Sequence, residues 1–144
     1  MDALARYHLW QSGLDYDHGT GHGVGSFLGV HEGPQRISRK ASVPLRSGMI
    51  ISNEPGYYKA GQYGIRIENL VLVRKSPISE NSGKKFLEFE TLTKAPLDTR
   101  LIEKNMLTAE EKGWLENYYK SLFIELSPHL DQKEIIWLKN HLSF

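Results

Sequence analysis

The segment GIRIENLVLVR, residues 64–74, predicts the central strand of a β-sheet. Residues 70–73 are apolar without interruption, and a strand that is apolar on both faces is covered by protein on both sides. Just before this run, Arg66 and Glu68 are two positions apart and therefore share one face of the strand. We expect Glu68 to be buried in the sheet.

Two more strands are predicted on either side of this segment in the chain. Residues 49–51 are apolar and lead into a proline-glycine pair, which is typical of a strand end and a turn. Glu54 lies at the exit of that strand, directly before Pro55. Residues 85–93, KFLEFETLT, alternate as a third strand does. We expect an antiparallel sheet with flanking helices, which is the α+β class.

Helices are predicted at both ends of the chain. Residues 2–12 form a short helix for which Asp2 is the available cap. Near the other end, Thr108 and Glu111 have the spacing of a capping box at the start of TAEEKGWLENYYKSLFIEL. A second amphipathic helix, DQKEIIWLKNHL, is capped by Asp131. These last two helices form a helical appendix to the sheet.

Composition excludes several classes of protein. The 144 residues carry a net charge of +1 with scattered basic residues, which excludes a nucleic-acid binder driven by counterion release. There is no cysteine, so a bound metal would use imidazole and carboxylate ligands. No apolar run is long enough to cross a membrane, and no signal peptide follows Met1. We expect a cytoplasmic protein with no membrane partner.

The glycine-rich stretch GTGHGVGSFLGVHEGP, residues 19–34, does not match the common phosphate-binding patterns. Its glycines do not fit G-x-G-x-x-G, and no Lys-Ser or Lys-Thr completes a P-loop. His18 and His22 have the spacing of a helical zinc pair, but each intervening glycine would cost that helix about 1 kcal/mol relative to alanine. A helical zinc site is therefore excluded.

The remaining polar residues suggest either an ion pair or a metal cluster. A buried Glu68 needs a partner, and Arg66 on the same face offers a structural salt bridge. Alternatively, Glu54 at the end of the neighbouring strand and His22 in the glycine-rich loop could join Glu68. Two carboxylates and one imidazole suit manganese, cobalt, iron or zinc.

Three stretches, GTGHGVGSFLGVHEGP, SNEPGYY and GIRIEN, resemble the signatures of the C-terminal half of the aminopeptidase P catalytic domain, within the pita-bread metallopeptidases. The resemblance extends over residues 2–74 in order and spacing. It implies that residues 1–84 form the C-terminal half of a pita-bread fold. Residues 85–144 resemble the C-terminal extension of the longer aminopeptidases P, with a final strand and two helices.

The resemblance also implies a role for each site residue. His22, Glu54 and Glu68 match metal ligands, with Glu54 also part of the catalytic group and Glu68 bridging two ions. The ions would be two Mn²⁺ in the intact enzyme, with Zn²⁺ or Co²⁺ as alternatives. His18 and His31 match histidines that contact the substrate and move protons. Members of this family remove the N-terminal residue from peptides whose second residue is proline.

Arg66 matches a residue that supports the site and binds substrate. The family's dinuclear site also uses two aspartates and another histidine from the first half of the catalytic domain, to which nothing in this sequence corresponds. We therefore expect a fragment with little peptidase activity, whose natural partner is the missing N-terminal half. Exposed strand edges would favour a homodimer or aggregation.

The sequence leaves three alternatives open. Pita-bread domains also occur as non-catalytic modules that bind peptides or histones, but such a module has no need of the His22, Glu54 and Glu68 set. A creatinase-like hydrolase that works without metal is disfavoured for the same reason. A prolidase-like dipeptidase is the nearest enzymatic alternative, and the helical extension weighs against it.

Overall fold

A computed structural model of the chain describes residues 1–27, 29–79 and 83–142. It divides into two compact units, Met1–Thr93 and Lys94–Phe144. The domain boundary predicted from the sequence, at residue 84, lies on the N-terminal side of this division. The difference arises because the strand after residue 84 pairs with the sheet of the first unit rather than with the helices.

The first unit begins with helix α1, Asp2–Gln11, and Gly13 follows it with a φ of +70°. Asp2 is the first helical residue and not the N-cap; Met1 holds that position without a side-chain cap. The prediction of Asp2 as a cap is therefore wrong. Its carboxylate instead accepts a hydrogen bond from Arg6 Nε, one turn along the helix, at 2.9 Å.

The described residues of the first unit form short strands that all pair antiparallel. Three small sheets result, with the orders β1-β2, β3-β6-β7 and β4-β5. The strands are β1 Gly21–His22, β2 Arg36–Ile37, β3 Ile50–Asn53, β4 Gly56–Lys59, β5 Tyr63–Arg66, β6 Asn69–Lys75 and β7 Leu87–Thr91.

Strand β6 is the middle strand of the three-stranded sheet, as predicted. Ile51 of β3 lies opposite Val71, and Val71 lies opposite Thr91 of β7. Ile51, Val71 and Val73 are almost inaccessible to solvent and form one core with Ile37 of β2. Burial of these branched side chains stabilises the strands, since each contributes about 1.5–3 kcal/mol when fully buried.

The segment GIRIENLVLVR is not one continuous strand. Strand β5 ends at Arg66 and pairs with β4, whereas β6 begins at Asn69 and pairs with β3 and β7. Glu68 lies in the connection between the two sheets, and its side chain is 44% exposed. The predicted burial of Glu68 is therefore wrong, because the chain changes sheets at this point.

The second unit consists of helices α2, Ala109–Leu126, and α3, Gln132–Leu142, with short 3₁₀ turns before each. Both halves of the predicted capping box of Thr108 and Glu111 are present. Asp131 accepts hydrogen bonds from the Lys133 and Glu134 amides, so its predicted capping role is confirmed as well. The core of this unit comprises Leu115, Tyr118, Tyr119, Leu122 and Leu138.

No helix among the described residues is both long enough and apolar enough to span a bilayer.

Candidate metal centre

One cavity of about 930 Å³ in the first unit is lined by every site residue singled out from the sequence. This volume lies within the range of about 300–1,000 Å³ typical of ligand sites. The six residues come from β1, from the ends of β3 and β5, and from the loops around them. They are His18, His22, His31, Glu54, Arg66 and Glu68.

The close approach of β1 to β3 brings His22 next to Glu54. The Glu54 amide donates to the Thr20 carbonyl at 2.8 Å, and the His22 amide donates to the Ser52 hydroxyl at 2.9 Å. A Cβ atom at Gly21 would overlap the backbone carbonyl of Ser52, so only glycine permits this approach at that position. The glycine-rich sequence thus positions one side chain of the site.

Ser52 is fully buried and links the two candidate ligands. Its hydroxyl accepts the hydrogen bond from the His22 amide and donates its own hydrogen to Glu54 Oε1 at 3.0 Å. Both hydrogen-bonding directions of this hydroxyl are therefore used inside the protein. The orientation of the Glu54 carboxylate is fixed by a group that does not itself line the cavity.

The hydrogen bond of His22 Nδ1 determines what its other ring nitrogen presents. Nδ1 is 2.9 Å from the Gly23 carbonyl oxygen, which only accepts, so Nδ1 carries the hydrogen in the neutral ring. Nε2 then directs its lone pair at Glu54 Oε1, 3.1 Å away. Two acceptors at this distance require a proton or a cation between them. This is the arrangement expected of a metal-binding imidazole.

Glu68 completes a group of three candidate ligands. One ligand atom from each of His22, Glu54 and Glu68 lies within 4.8 Å of the others. Glu68 also approaches Arg66 Nε at 3.6 Å, so the ion pair considered from the sequence is present too, although both side chains are nearly half exposed. One imidazole nitrogen and two carboxylates fit a hard or borderline divalent cation.

A chain of hydrogen bonds runs along one side of this group through Tyr58. His18 Nδ1 donates to the Gly19 carbonyl at 2.8 Å, so Nε2 is the acceptor for the Tyr58 hydroxyl at 2.8 Å. The same hydroxyl accepts from Arg66 at 3.4 Å. This hydrogen bond is the largest cause of a raised pKa for Arg66. Arg66, Tyr58 and His18 therefore form one connected polar row.

Two glycines make room for the Tyr58 ring. Gly64 lies opposite Tyr58 in the β4–β5 pair, and a Cβ atom there would come within 2.7 Å of the ring. A Cβ atom at Gly56 would meet the same ring. The sequence pattern does not reveal Tyr58, because the register that places this aromatic residue opposite a glycine appears only in the paired strands.

His31 lies beside His22, with ring centroids 4.2 Å apart. The loop that carries His31 folds back onto β1, since the Glu32 amide donates to the Gly23 carbonyl at 2.9 Å. His31 is exposed at the cavity surface. Its ring is thus available to a molecule bound in the cavity.

Arg6 organises the segment that leads to the site. It is buried, and its guanidinium donates to Asp2, to Asp15, to the Tyr16 carbonyl and to the His18 carbonyl, at 2.6 to 2.9 Å. The same group lies 3.9 Å from the centre of the Tyr16 ring. Helix α1 therefore fixes the backbone that carries His18. The i, i+4 spacing of Asp2 and Arg6 was the sequence signal for this pair.

The charge of Asp2 is stabilised by its neighbours. Burial, the largest single effect, acts to raise the pKa of this carboxyl group. Hydrogen bonds from Thr20 and Arg6 outweigh it, and the pKa of Asp2 is lowered from its ordinary value of 3.8. Asp2 is consequently ionised at neutral pH and accepts from the Thr20 hydroxyl at 2.7 Å.

Comparisons with known proteins agree with this geometry. Residues 1–75 match the model of metallopeptidase family M24, and residues 85–143 match that of the C-terminal region of peptidase M24. A probable Xaa-Pro aminopeptidase P from Coprinopsis cinerea is 50% identical over 145 residues, which cover 96% of this chain and 23% of that protein. The chain thus spans about a quarter of the length of the curated relatives it matches.

Two solved structures extend the comparison. The X-prolyl aminopeptidase of Caenorhabditis elegans, a cytosolic enzyme with a dinuclear active site, is 37% identical with a TM-score of 0.91. That match covers 99% of this chain and 24% of the other. An Xaa-Pro dipeptidase from Bacillus anthracis is 35% identical with a TM-score of 0.52, and it covers 66% of this chain and 23% of the other.

The predicted fold is confirmed by these matches: the chain has the α+β fold of a pita-bread peptidase, with a helical C-terminal region. The family follows from the match over residues 1–75, which include all six site residues singled out from the sequence. This chain belongs to metallopeptidase family M24.

Proposed function

We propose that this chain forms part of an Xaa-Pro aminopeptidase, which removes the N-terminal residue from peptides with proline in second position. The names of the relatives from C. cinerea and C. elegans support this activity. The observation that carries the proposal is the unshared lone pair of His22 Nε2, 3.1 Å from Glu54 Oε1 and close to Glu68.

His22, Glu54 and Glu68 would hold a divalent cation, which we propose to be Mn²⁺, with Zn²⁺ or Co²⁺ as alternatives. The donor set fits all three ions, because it combines one imidazole with carboxylates. Bound there, a divalent cation polarises a carbonyl group and lowers the pKa of water. The dinuclear site of the C. elegans enzyme supports a second ion in the complete site, and Glu68 would help to hold it, as the resemblance implies.

The neighbouring side chains would bind the peptide and move protons. His31 is exposed next to His22 and could contact the substrate directly. His18 Nε2 already accepts from the Tyr58 hydroxyl, so this pair can pass a proton between the cavity and the protein. Arg66 donates to the same hydroxyl and holds it towards His18.

We further propose that residues outside this chain complete the site. The resemblance implies two more aspartates and a histidine from the first half of the catalytic domain. On this account the 144 residues alone have little activity, and their partner is that half. The homodimer and the cytoplasmic location stay predictions; the cytosolic C. elegans relative supports the latter.

A prolidase-like dipeptidase is the second candidate, because an Xaa-Pro dipeptidase is also similar to this chain. That match covers 66% of the chain, whereas the match to the aminopeptidase covers 99%. The helical C-terminal region therefore favours the aminopeptidase. Cleavage of tripeptides and longer peptides distinguishes the two activities.

The test compares the complete protein carrying this sequence with its His22→Ala variant, both supplied with Mn²⁺ and the tripeptide Ala-Pro-Ala. We expect release of alanine by the wild type and at least about a 100-fold loss in the variant, because a metal ligand is removed. His8→Ala is the matched control, since His8 is exposed on α1 and does not line the cavity. Equal rates for wild type and His22→Ala would contradict the proposal.

A further inference from the structure

Arg36 faces the candidate metal centre from the strand next to His22. In the β1–β2 pair, Arg36 lies directly opposite His22. Residues directly opposite each other in an antiparallel pair lie on the same face, with Cβ atoms about 4.5–5.5 Å apart. Arg36 also lines the cavity that contains Glu54 and Glu68. Register and cavity lining therefore place the Arg36 side chain on the same face as His22, at the cavity.

Other arginines of this cavity are already paired. Arg39 forms an ion pair with Asp15, and Arg66 lies 3.6 Å from Glu68. Arg36, in contrast, is exposed and its side chain has no ion-pair or hydrogen-bond partner within residues 1–27, 29–79 and 83–142. Its five N–H donors are therefore available at a cavity of ligand size.

The position of this charge indicates the ligand it suits. A guanidinium next to a cation site opposes metal binding by like-charge repulsion, so Arg36 does not help His22 and Glu54 hold an ion. It equally repels the free ammonium group of a peptide N-terminus. A guanidinium attracts a carboxylate instead, and it binds this group with two parallel N–H···O bonds.

We propose that Arg36 binds a carboxylate of the peptide substrate that lies on the C-terminal side of the scissile bond. This inference rests on the proposed peptidase function. Two groups of a peptide supply a carboxylate on the C-terminal side of the scissile bond: the terminal carboxylate of a short peptide, and an acidic side chain after the proline. Either one would make Arg36 a specificity-determining residue that prefers short or acidic peptides.

Kinetics with three matched substrates test this on the complete, metal-loaded protein: Ala-Pro-Ala, its C-terminal amide, and the amide of Ala-Pro-Glu. We expect kcat/KM to be about tenfold higher for at least one of the two carboxylate substrates than for the Ala-Pro-Ala amide, mainly through KM. A higher kcat/KM for Ala-Pro-Ala identifies the terminal carboxylate as the group that Arg36 binds. A higher kcat/KM for the glutamate peptide identifies the side-chain carboxylate.

In Arg36→Gln the preference should fall to about one, and Arg36→Lys, which keeps the charge, should restore part of it. Arg46→Gln is the matched control, because Arg46 is exposed and does not line the cavity, and it should retain the full preference. A wild type with no preference, or an Arg36→Gln variant that keeps it, would overturn the proposal.

Binding separates this proposal from the proposed function. If no peptide is cleaved, the peptidase proposal fails, and calorimetric titration of Pro-Ala, Pro-Ala amide and Pro-Glu amide still reports on Arg36. Weaker binding of Pro-Ala amide than of Pro-Ala or Pro-Glu amide by the wild type, lost in Arg36→Gln, supports the carboxylate subsite. Equal affinities of the wild type for all three dipeptides, or a difference that persists in Arg36→Gln, overturn it.

Discussion

At the scale of single residues, two hydrogen bonds define the chemistry of the site. The Gly23 carbonyl fixes the hydrogen of His22 on Nδ1, and the Ser52 hydroxyl orients Glu54. Neither contact involves a substrate group. Both leave the acceptor atoms of His22 and Glu54 facing each other at 3.1 Å, which is the situation that a cation relieves.

Tyr58 provides a test at this scale. Tyr58→Phe keeps the ring that lies against Gly64 but removes the hydroxyl that donates to His18 and accepts from Arg66. Because a positioned proton-transfer group contributes about 10²–10⁴-fold, we expect kcat to fall by at least about 100-fold and the pH profile of kcat to change, with metal content unchanged.

The measurement is a pH–rate profile of the complete protein. Tyr63→Phe is the control, because Tyr63 is exposed on the neighbouring strand and, among the described residues, its hydroxyl makes no hydrogen bond to His18 or Arg66. An unchanged profile in Tyr58→Phe would show that the hydroxyl takes no part in proton movement.

At the scale of elements, helix α1 is attached to the site through polar contacts. Its Leu4 and Tyr7 side chains are largely exposed, whereas Asp2 and Arg6 are buried. Arg6 binds the carbonyls of Tyr16 and His18, so the helix contributes to the site by fixing backbone rather than by apolar packing. Asp2 keeps the charge of Arg6 compensated inside the protein.

The lowered pKa of Asp2 predicts a pH dependence of stability. The stabilising contribution of its carboxylate is fully present above the ordinary pKa of 3.8 and is lost as the pH falls through the lowered value in the folded state. Asp2→Asn should therefore lower the thermal midpoint at about pH 6, and the difference from wild type should shrink towards about pH 3. A difference that stays constant over this range would contradict the account.

The approach of β1 to β3 depends on Gly21. Gly21→Ala places a methyl group against the Ser52 carbonyl, so we expect a loss of about 1–3 kcal/mol in unfolding free energy and weaker metal binding. Gly113→Ala is a control of opposite sign, because Gly113 lies within α2 with open space around it and alanine favours a helix by about 0.5–1 kcal/mol. Denaturant unfolding of both variants is the measurement. Equal stability of Gly21→Ala and wild type would contradict the close approach.

The same elements show how far the sequence could predict the fold and the site. The central strand β6 and the caps of α2 and α3 follow from local patterns, and local patterns predicted them. The change of sheet at Glu68 depends on which strands pair, and a run of alternating residues does not reveal it. Asp2 was misassigned because an acidic residue at a helix start suits either a cap or an i, i+4 ion pair.

At the scale of the whole molecule, the cavity gathers residues that are up to 62 positions apart, from Arg6 to Glu68. Six of its lining residues were predicted from sequence motifs, because each motif resembles known peptidases by itself, without knowledge of the strand pairing. Tyr58 and Arg36 were not found in this way, because their relation to the site follows from strand register. Paired strands, rather than motifs, therefore indicate the additional residues of the site.

The shared cation position of His22, Glu54 and Glu68 is tested most directly by crystals of the complete protein grown with Zn²⁺ and measured at the zinc absorption edge. We expect an anomalous peak about 2.0–2.2 Å from His22 Nε2 and from a carboxylate oxygen of each glutamate. That peak should be absent in His22→Ala crystals. A zinc peak elsewhere in the protein, with these three side chains free of metal, would contradict the account.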